Sequence, residues 1–518
     1  MRLENSAKNI KIAWLMHIVH VFGQFISRTV IIMVLSVEYV GLSGLFSNVL
    51  SMLSLAELGI GEAIVFSLYS PIAKGEINKI NAIMAFYQKI YIGVGCFILI
   101  VGISLTPVIE YLIKGVPDIP YIHTIYILYV INSAMSYFFS YKATFIKANQ
   151  SNYIVTVNDE IFNIISIVLR AILLVITKNY LLFMGLGIVI LFVQNVNITM
   201  IANRRYPYLK DKNKEKISKE TFREIKKNTA AMVLHKIGTI IVFATDNVII
   251  SKFLGLASVG VYSNYYTLTN ALTSFINKFF SGISASVGNL AVSESVEKQE
   301  KTLFQVLFIN FWLYTFGSCG LFALLNPFIG NIWLGSEYTF SMIVVFLIVV
   351  KNYLTGMRKS SQTFKNAKGL YWYNKYMPIY ESLINLILSV VLVKLVGISG
   401  VLLGTIISSL ATCVWIEPHV LYKYGFKKSA GGYVKKYLQY VAVFITALAI
   451  SWGSCHAIEL VFGGMDGLRT VKSVGIFIVQ FVAVVVICNL YLWLIYRKSD
   501  EYRYLMDVVK KKVLKKKR

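Results

Sequence analysis

Five polar residues set into an apolar run are the first place where this chain could do chemistry. His17, His20, Gln24, Ser27 and Arg28 fall at helical spacing inside residues 10–35, which are otherwise built for lipid. Residues three and four apart share one helix face, so these groups form one stripe. An arginine near the middle of a membrane helix costs roughly 2.5–3.5 kcal/mol on insertion scales, so the stripe has to face other helices or a water-filled cavity. Similar stripes recur. One runs Thr156, Asp159, Asn163, Ser166, Arg170; another runs Ser263, Tyr266, Asn270, Thr273, Asn277, Ser281; a third runs His235 or Lys236, Thr239, Asp246 and Asn247. Single charges sit at Glu57, Glu62, Lys278, Lys351 and Glu381. About a dozen such groups facing lipid would cost on the order of 30 kcal/mol, against a total stability of about 5–15. Most of them must face inward.

Cationic groups in a cavity want an anion, and arginine suits phosphate because its planar fork gives paired, charge-assisted hydrogen bonds. Asn, Ser, Thr and Tyr suit sugar hydroxyls. The candidate substrate-binding residues are therefore Arg28, Lys236, Lys278, Lys351, His17, Gln24, Asn270 and Asn277, with Asp246, Asp159 and Glu57 as gate or ion-coupling candidates. The chemistry points to a phosphorylated, hydroxyl-rich, lipid-linked substrate. The competing reading is structural. Asp159 and Glu160 can pair with a nearby cation, Glu57 and Glu62 border the close-packing Gly59 and Gly61, and Lys252 can snorkel from a helix end. No GxxxxGK[ST] phosphate loop is present, so the chain is not its own ATPase. No cofactor and no enzymatic role are expected; an ion gradient or consumption of product outside would drive transport.

The elements that carry these stripes are membrane helices. Of 518 residues 57% are hydrophobic and 15% charged, against nearer half and a quarter in soluble domains. A bilayer core about 30 Å thick needs about 20 apolar residues per helix. Fourteen candidate spans follow, at about 10–35, 44–70, 83–106, 120–143, 153–176, 180–202, 230–253, 258–283, 304–325, 338–360, 374–396, 398–421, 434–455 and 471–496. The runs are too long and too continuous for β-barrel strands. The formal net charge is +26, but about 40 of the 51 Lys and Arg fall in the N-terminus, the even-numbered loops and the C-terminal tail. That asymmetry is the positive-inside rule and places both termini in the cytoplasm; it argues against nucleic acid as a partner. The basic loop 204–227 and the tail 510–518 suit solvent or anionic headgroups. Five scattered cysteines read as packing residues, and the first apolar run reads as a helix, not a removed signal peptide.

A shift of 219 residues lays the start of the first span on the start of the seventh. Lys8-Asn9 falls on Lys227-Asn228, Val30-Ile31 on Ile249-Ile250, Val40-Gly41 on Val259-Gly260, and, after a three-residue gap, Phe46-Ser47-Asn48 on Tyr262-Ser263-Asn264. Six spans separate the copies, so both halves keep one orientation: a parallel repeat about an axis along the membrane normal. The expected fold is an all-α integral membrane protein of about fourteen helices. It comprises a six-helix lobe at 1–206, a basic cytoplasmic loop at 207–227, a second six-helix lobe at 228–422, two further helices within 423–496, and a basic cytoplasmic tail at 497–518. Substrate would lie between the lobes, with rocking exposing it alternately to each side.

The stretch 35–63, LSVEYVGLSGLFSNVLSMLSLAELGIGEA, resembles the Wzx-like oligosaccharide-lipid flippases of bacterial surface-polysaccharide pathways. So do 244–265, ATDNVIISKFLGLASVGVYSNY, and 284–290, SASVGNL. The resemblance is to the multidrug/oligosaccharidyl-lipid/polysaccharide exporter superfamily, and it is diffuse over the last six spans. It implies movement of undecaprenyl-pyrophosphate-linked oligosaccharide across the bacterial cytoplasmic membrane, for capsule, exopolysaccharide or a related glycan, alongside a polysaccharide polymerase and glycosyltransferases. It transfers no catalytic motif. The alternatives are a cation-coupled multidrug antiporter of the same superfamily, whose cavity would favour carboxylates and aromatics, and a membrane polysaccharide polymerase or ligase, which would need a catalytic group in a sizeable outer loop. The longest outer loops here, about 107–119 and 456–470, are short.

Overall fold

The computed structural model describes residues 19–54, 60–115, 119–149, 151–210, 217–219, 222, 223, 225 and 245–515. Helices dominate and no strand occurs among them. In chain order they are α1 (Val19–Val34), α2 (Val37–Leu53), α3 (Ile60–Lys74), α4 (Ile77–Ser104), α5 (Ile122–Ala148), α6 (Asn152–Thr177), α7 (Tyr180–Arg205), α8 (245–254) and α9 (Leu256–Ser293). There follow α10 (Val296–Pro327), α11 (Met342–Met357), α12 (Lys359–Ala367), α13 (Met377–Val396), α14 (Ile398–Ala411), α15 (Cys413–Val420), α16 (Gly431–Phe462), α17 (Val471–Tyr496) and α18 (Asp500–Lys515).

Among the described residues, eight helical segments are each long and apolar enough to cross a bilayer, or nine if the two bent pieces of α5 count as one span. Of the expected fourteen, the spans at 10–35 and 230–253 lie partly outside the described residues, and others fall short of that test for physical reasons visible in particular helices. The second expected span is divided between α2 and α3, α11 is only 16 residues long, and the polar stripe of α9 dilutes its apolar run. The apolar surface is nonetheless lipid-like. On α6, Ile161, Ile165, Val168, Leu169 and Ile172 are exposed, while Thr156, Asn163, Ser166 and Arg170 on the other side are half-buried. A soluble protein would reverse that arrangement. The chain is a multi-pass membrane protein.

The chain divides into two compact units, Met1–Gly260 and Val261–Arg518. In the first, α5 packs on α4 and α7, and α6 lies along α7. Asn179 starts α7 by accepting hydrogen bonds from the Leu181 and Leu182 amides at 2.9 and 3.2 Å. Also within this unit, α2 meets the first turn of α9 at two glycines. A Cβ on Gly41 would run into the Leu256 carbonyl, and one on Gly260 would run into the Val37 carbonyl. In the second unit α13 and α14 form a hairpin joined at Gly397, whose φ of 61° is left-handed and suits glycine. There α10 packs on α11, α16 and α17, and α16 pairs with α17.

Candidate functional site

Helix α3, with Phe66 and Tyr69, faces α4, whose Tyr87 and Tyr91 lie one turn apart. With Ser140, Thr144 and Lys147 of α5, Asp159 of α6, and Gln194 and Asn195 of α7, these residues line a cavity of about 1010 Å³. The size lies at the upper end of ligand pockets. Steps of four along α5 put Ser136, Ser140 and Thr144 on the cavity side. Tyr87 and Tyr91 pack edge to face with centroids 4.3 Å apart, and the Tyr87 hydroxyl lies 3.2 Å from the Thr144 hydroxyl. The wall is thus a rigid pair of phenol rings flanked by small hydroxyls.

The opposite wall is made of amides. The Asp159 carboxylate accepts a hydrogen bond from Gln194 at 2.8 Å and a longer one from Asn158 at 3.4 Å, and Asn197 donates to the Asn158 carbonyl oxygen at 2.8 Å. Among the described residues, amides and not a cation hold Asp159. Asn195 is buried, and its side-chain nitrogen has no acceptor among the described residues. A buried donor left in that state is unusual, and Asn195 lines the cavity. Lys147 and Asp159 are the two charged lining residues, both exposed to the cavity opening.

The stripes expected on the first and fifth spans meet in this same unit. His20 Nε2 lies 2.9 Å from the Gln24 amide nitrogen, and His20 Nδ1 lies 3.1 Å from that of Asn163 and 3.6 Å from a Glu160 oxygen. Asn163 in turn donates to Glu160 at 3.2 Å. Gly23 leaves the room that Ile167 occupies at this crossing. Arg28 is half-buried two turns further on and has Tyr129 as an electrostatic neighbour. Arg170 shares Tyr129 as a neighbour and has Tyr180 as well; it donates to the Phe183 carbonyl at 3.0 Å and lies 3.8 Å over that ring. The Tyr129 and Tyr180 hydroxyls are 2.9 Å apart. This aromatic and guanidinium cluster sits where α5 and α7 begin, so Arg28 is not among the residues lining the large cavity. Asp246 is buried in α8, beside Asn247, which donates to the Gly44 carbonyl at 3.5 Å.

The second unit holds the other expected contacts. Lys351 donates to the Tyr262 hydroxyl at 3.1 Å, and Thr273 donates to Asn352 at 2.8 Å. Asn277 lines a pocket of about 410 Å³ with Lys359, Gln362, Thr363 and Asn366, and among the described residues no acidic side chain lines it. The Asn277 carbonyl oxygen is buried without a donor among the described residues. Asn270 is exposed, and Lys278 is half-buried. Of the expected residues, His17, Glu57 and Lys236 lie outside the described residues, as does the side chain of Glu62.

Sequence reasoning missed a buried ion cluster in this unit. Arg358 donates twice to Glu417, at 3.2 and 3.1 Å, and once to Glu381, at 3.3 Å. Gln362 also reaches Glu417, while Ser409 and Cys413 donate to Glu381. Lys365 lies 3.9 Å from Glu417, and burial lowers its pKa below the usual lysine value while the carboxylate opposes the shift. The spacing Arg358, Gln362, Lys365 was a visible helical stripe, hidden by the basic loop in which it lies.

Residues 6–285 match the family model described as polysaccharide biosynthesis protein. No curated protein matches the chain. Among solved structures, the chain is similar to the lipid II flippase MurJ in an inward closed conformation, with a TM-score of 0.62, 14% identity, and 94% of this chain and 98% of that one covered. It is also similar to an inward-facing multidrug resistance MATE family transporter of the MOP superfamily, at TM-score 0.59 and 14% identity over 77% of this chain and 94% of that one. A MOP superfamily transporter from Pyrococcus furiosus matches at TM-score 0.56 and 12% identity, covering 83% and 97%. The shared fold is that of the MOP transporters.

Proposed function

We propose that this chain, which belongs to the polysaccharide biosynthesis protein family, is a flippase for undecaprenyl-pyrophosphate-linked oligosaccharide in the bacterial cytoplasmic membrane. The observation that carries the reading is the large cavity of the first unit, with its phenol rings, small hydroxyls and the unpartnered Asn195 amide. Aromatic faces pack on the apolar faces of sugar rings, and amides and hydroxyls exchange hydrogen bonds with sugar hydroxyls. The acid-free pocket containing Lys359 and Asn277 suits an anionic group, as do Arg28, Lys236, Lys278 and Lys351. Alternating access would move the glycan outward, both termini would lie in the cytoplasm, and the protein would break no covalent bond. Glycosyltransferases would supply its substrate, and a polymerase would consume the product for capsule, exopolysaccharide or a related glycan.

A multidrug antiporter is the second reading, favoured by one observation: a carboxylate, Asp159, stands beside aromatic rings in the cavity. Glycan export and dye efflux, each measured per unit of membrane-inserted protein, separate the two. The flippase reading expects Asn195→Leu and Arg28→Gln to cut glycan export at least tenfold with dye efflux absent throughout. Dye efflux abolished by Asp159→Asn, with export untouched, would overturn it.

A further inference from the structure

Two membrane-span ends meet at one end of the second unit, because α13 starts where the segment running from α14 to Phe426 finishes. The spans Trp372–Val396 and Ile398–Phe426 run antiparallel around Gly397. At that end the surface is aromatic and basic. Trp372 is 70% exposed and Tyr376 56%, large values for rings at the edge of a packed bundle. Tyr373 stacks on Tyr424 with centroids 3.9 Å apart and planes 13° apart, which ties the two span ends together. Lys375 Nζ stands 3.2 Å over the Trp372 ring and 5.0 Å from the Tyr376 ring, and Lys423 lies 5.4 Å from the Tyr424 ring.

The charge here is one-sided. Neither residues 358–376 nor 418–430 contain an aspartate or glutamate. Arg358 and Lys365 are taken up by Glu381 and Glu417, and Lys428 by Glu300 at 2.7 Å. Among the described residues, Lys375, Lys423 and Lys427 have no carboxylate partner within ion-pair distance. Tryptophan and tyrosine favour the headgroup level, where an apolar ring and a polar tip are both satisfied, and lysines there attract anionic lipid.

We propose that Trp372, Tyr373, Lys375, Tyr376, Lys423 and Tyr424 form a binding site for the headgroup of an anionic phospholipid. The rings set the depth of the span ends, and the lysines hold the phosphate. The site is separate from both cavities and does not depend on what the protein transports.

The test is native mass spectrometry of the full-length protein titrated with phosphatidylglycerol or phosphatidylcholine. The wild type should retain phosphatidylglycerol in preference to phosphatidylcholine. Lys375→Gln with Lys423→Gln should weaken phosphatidylglycerol retention by about fivefold per charge removed and leave phosphatidylcholine unchanged. Lys435→Gln with Lys301→Gln, outside the patch, should change neither. Equal retention by the wild type and the Lys375/Lys423 variant would overturn the site. So would displacement of phosphatidylglycerol by millimolar inorganic phosphate, which would mark a soluble phosphate ligand, and so would a loss of both lipids together.

Discussion

Gly41 and Gly260, 219 residues apart, take part in one reciprocal contact: Gly41 lies against Leu256, and Gly260 lies against Val37. Val37 and Leu256 are separated by the same 219 residues. Such a crossed pairing is what two copies related by a twofold axis produce. The contact has the same 219-residue spacing as the offset read in the sequence. Both glycines allow backbone carbonyls to approach where a side chain would not fit. Gly41→Ala and Gly260→Ala should each lower the melting temperature in detergent, by an overpacking cost of about 1–3 kcal/mol. Because they share one contact, the double variant should lose less than the sum. Strict additivity would show that the two sites are independent.

The buried cluster around Arg358 should be asymmetric. Glu417→Gln leaves Arg358 with Glu381, whereas Arg358→Leu leaves two buried carboxylates with only lysines as counter-charges, Lys365 at 3.9 Å from Glu417 and Lys359 as a further electrostatic neighbour. Removing one partner of a buried pair costs about 3–5 kcal/mol. Thermal unfolding followed by size-exclusion chromatography should rank Arg358→Leu as the more damaging change. An Arg358→Leu protein as stable as Glu417→Gln would mean that the guanidinium does not organise the cluster.

Outside the spans, the turn before α17 should respond to acid. Thr470 donates to the Asp466 carboxylate at 2.7 Å, and with Lys472 this holds its pKa below the usual carboxylate value. A depressed folded pKa gives stabilisation that is present above the unfolded value, near 3.9, and is lost as pH falls through the folded one. Hydrogen exchange over 463–474, corrected for intrinsic rates, should accelerate below that range in the wild type. Asp466→Asn should already exchange fast at neutral pH and change little with acid. A wild type insensitive to acid would rule out the carboxylate as the holding group.

Much of this was legible from residue type and spacing. The stripes on α1 and α6 face each other through His20 and Asn163, because membrane insertion penalises any other placement. The cavity was less legible. Tyr87 and Tyr91 look like ordinary packing residues in an apolar span, and only the fold shows a void beside them. Asn195 gives no signal in the sequence that its amide lacks an acceptor. Arg358 and Glu417 lie 59 residues apart, and periodicity within one helix carries no information about such pairings.

The most direct measurement is translocation in proteoliposomes containing only this protein and a fluorescent undecaprenyl-diphosphate-linked saccharide. Sugar reaching the opposite leaflet would be detected with a membrane-impermeant lectin, with an imposed ion gradient and without ATP. The account predicts protein-dependent appearance of sugar in that leaflet, slowed at least tenfold by Asn195→Leu and by Arg28→Gln in equally folded protein. Translocation no faster than in protein-free vesicles, with folded wild-type protein inserted and every imposed gradient tried, would contradict it.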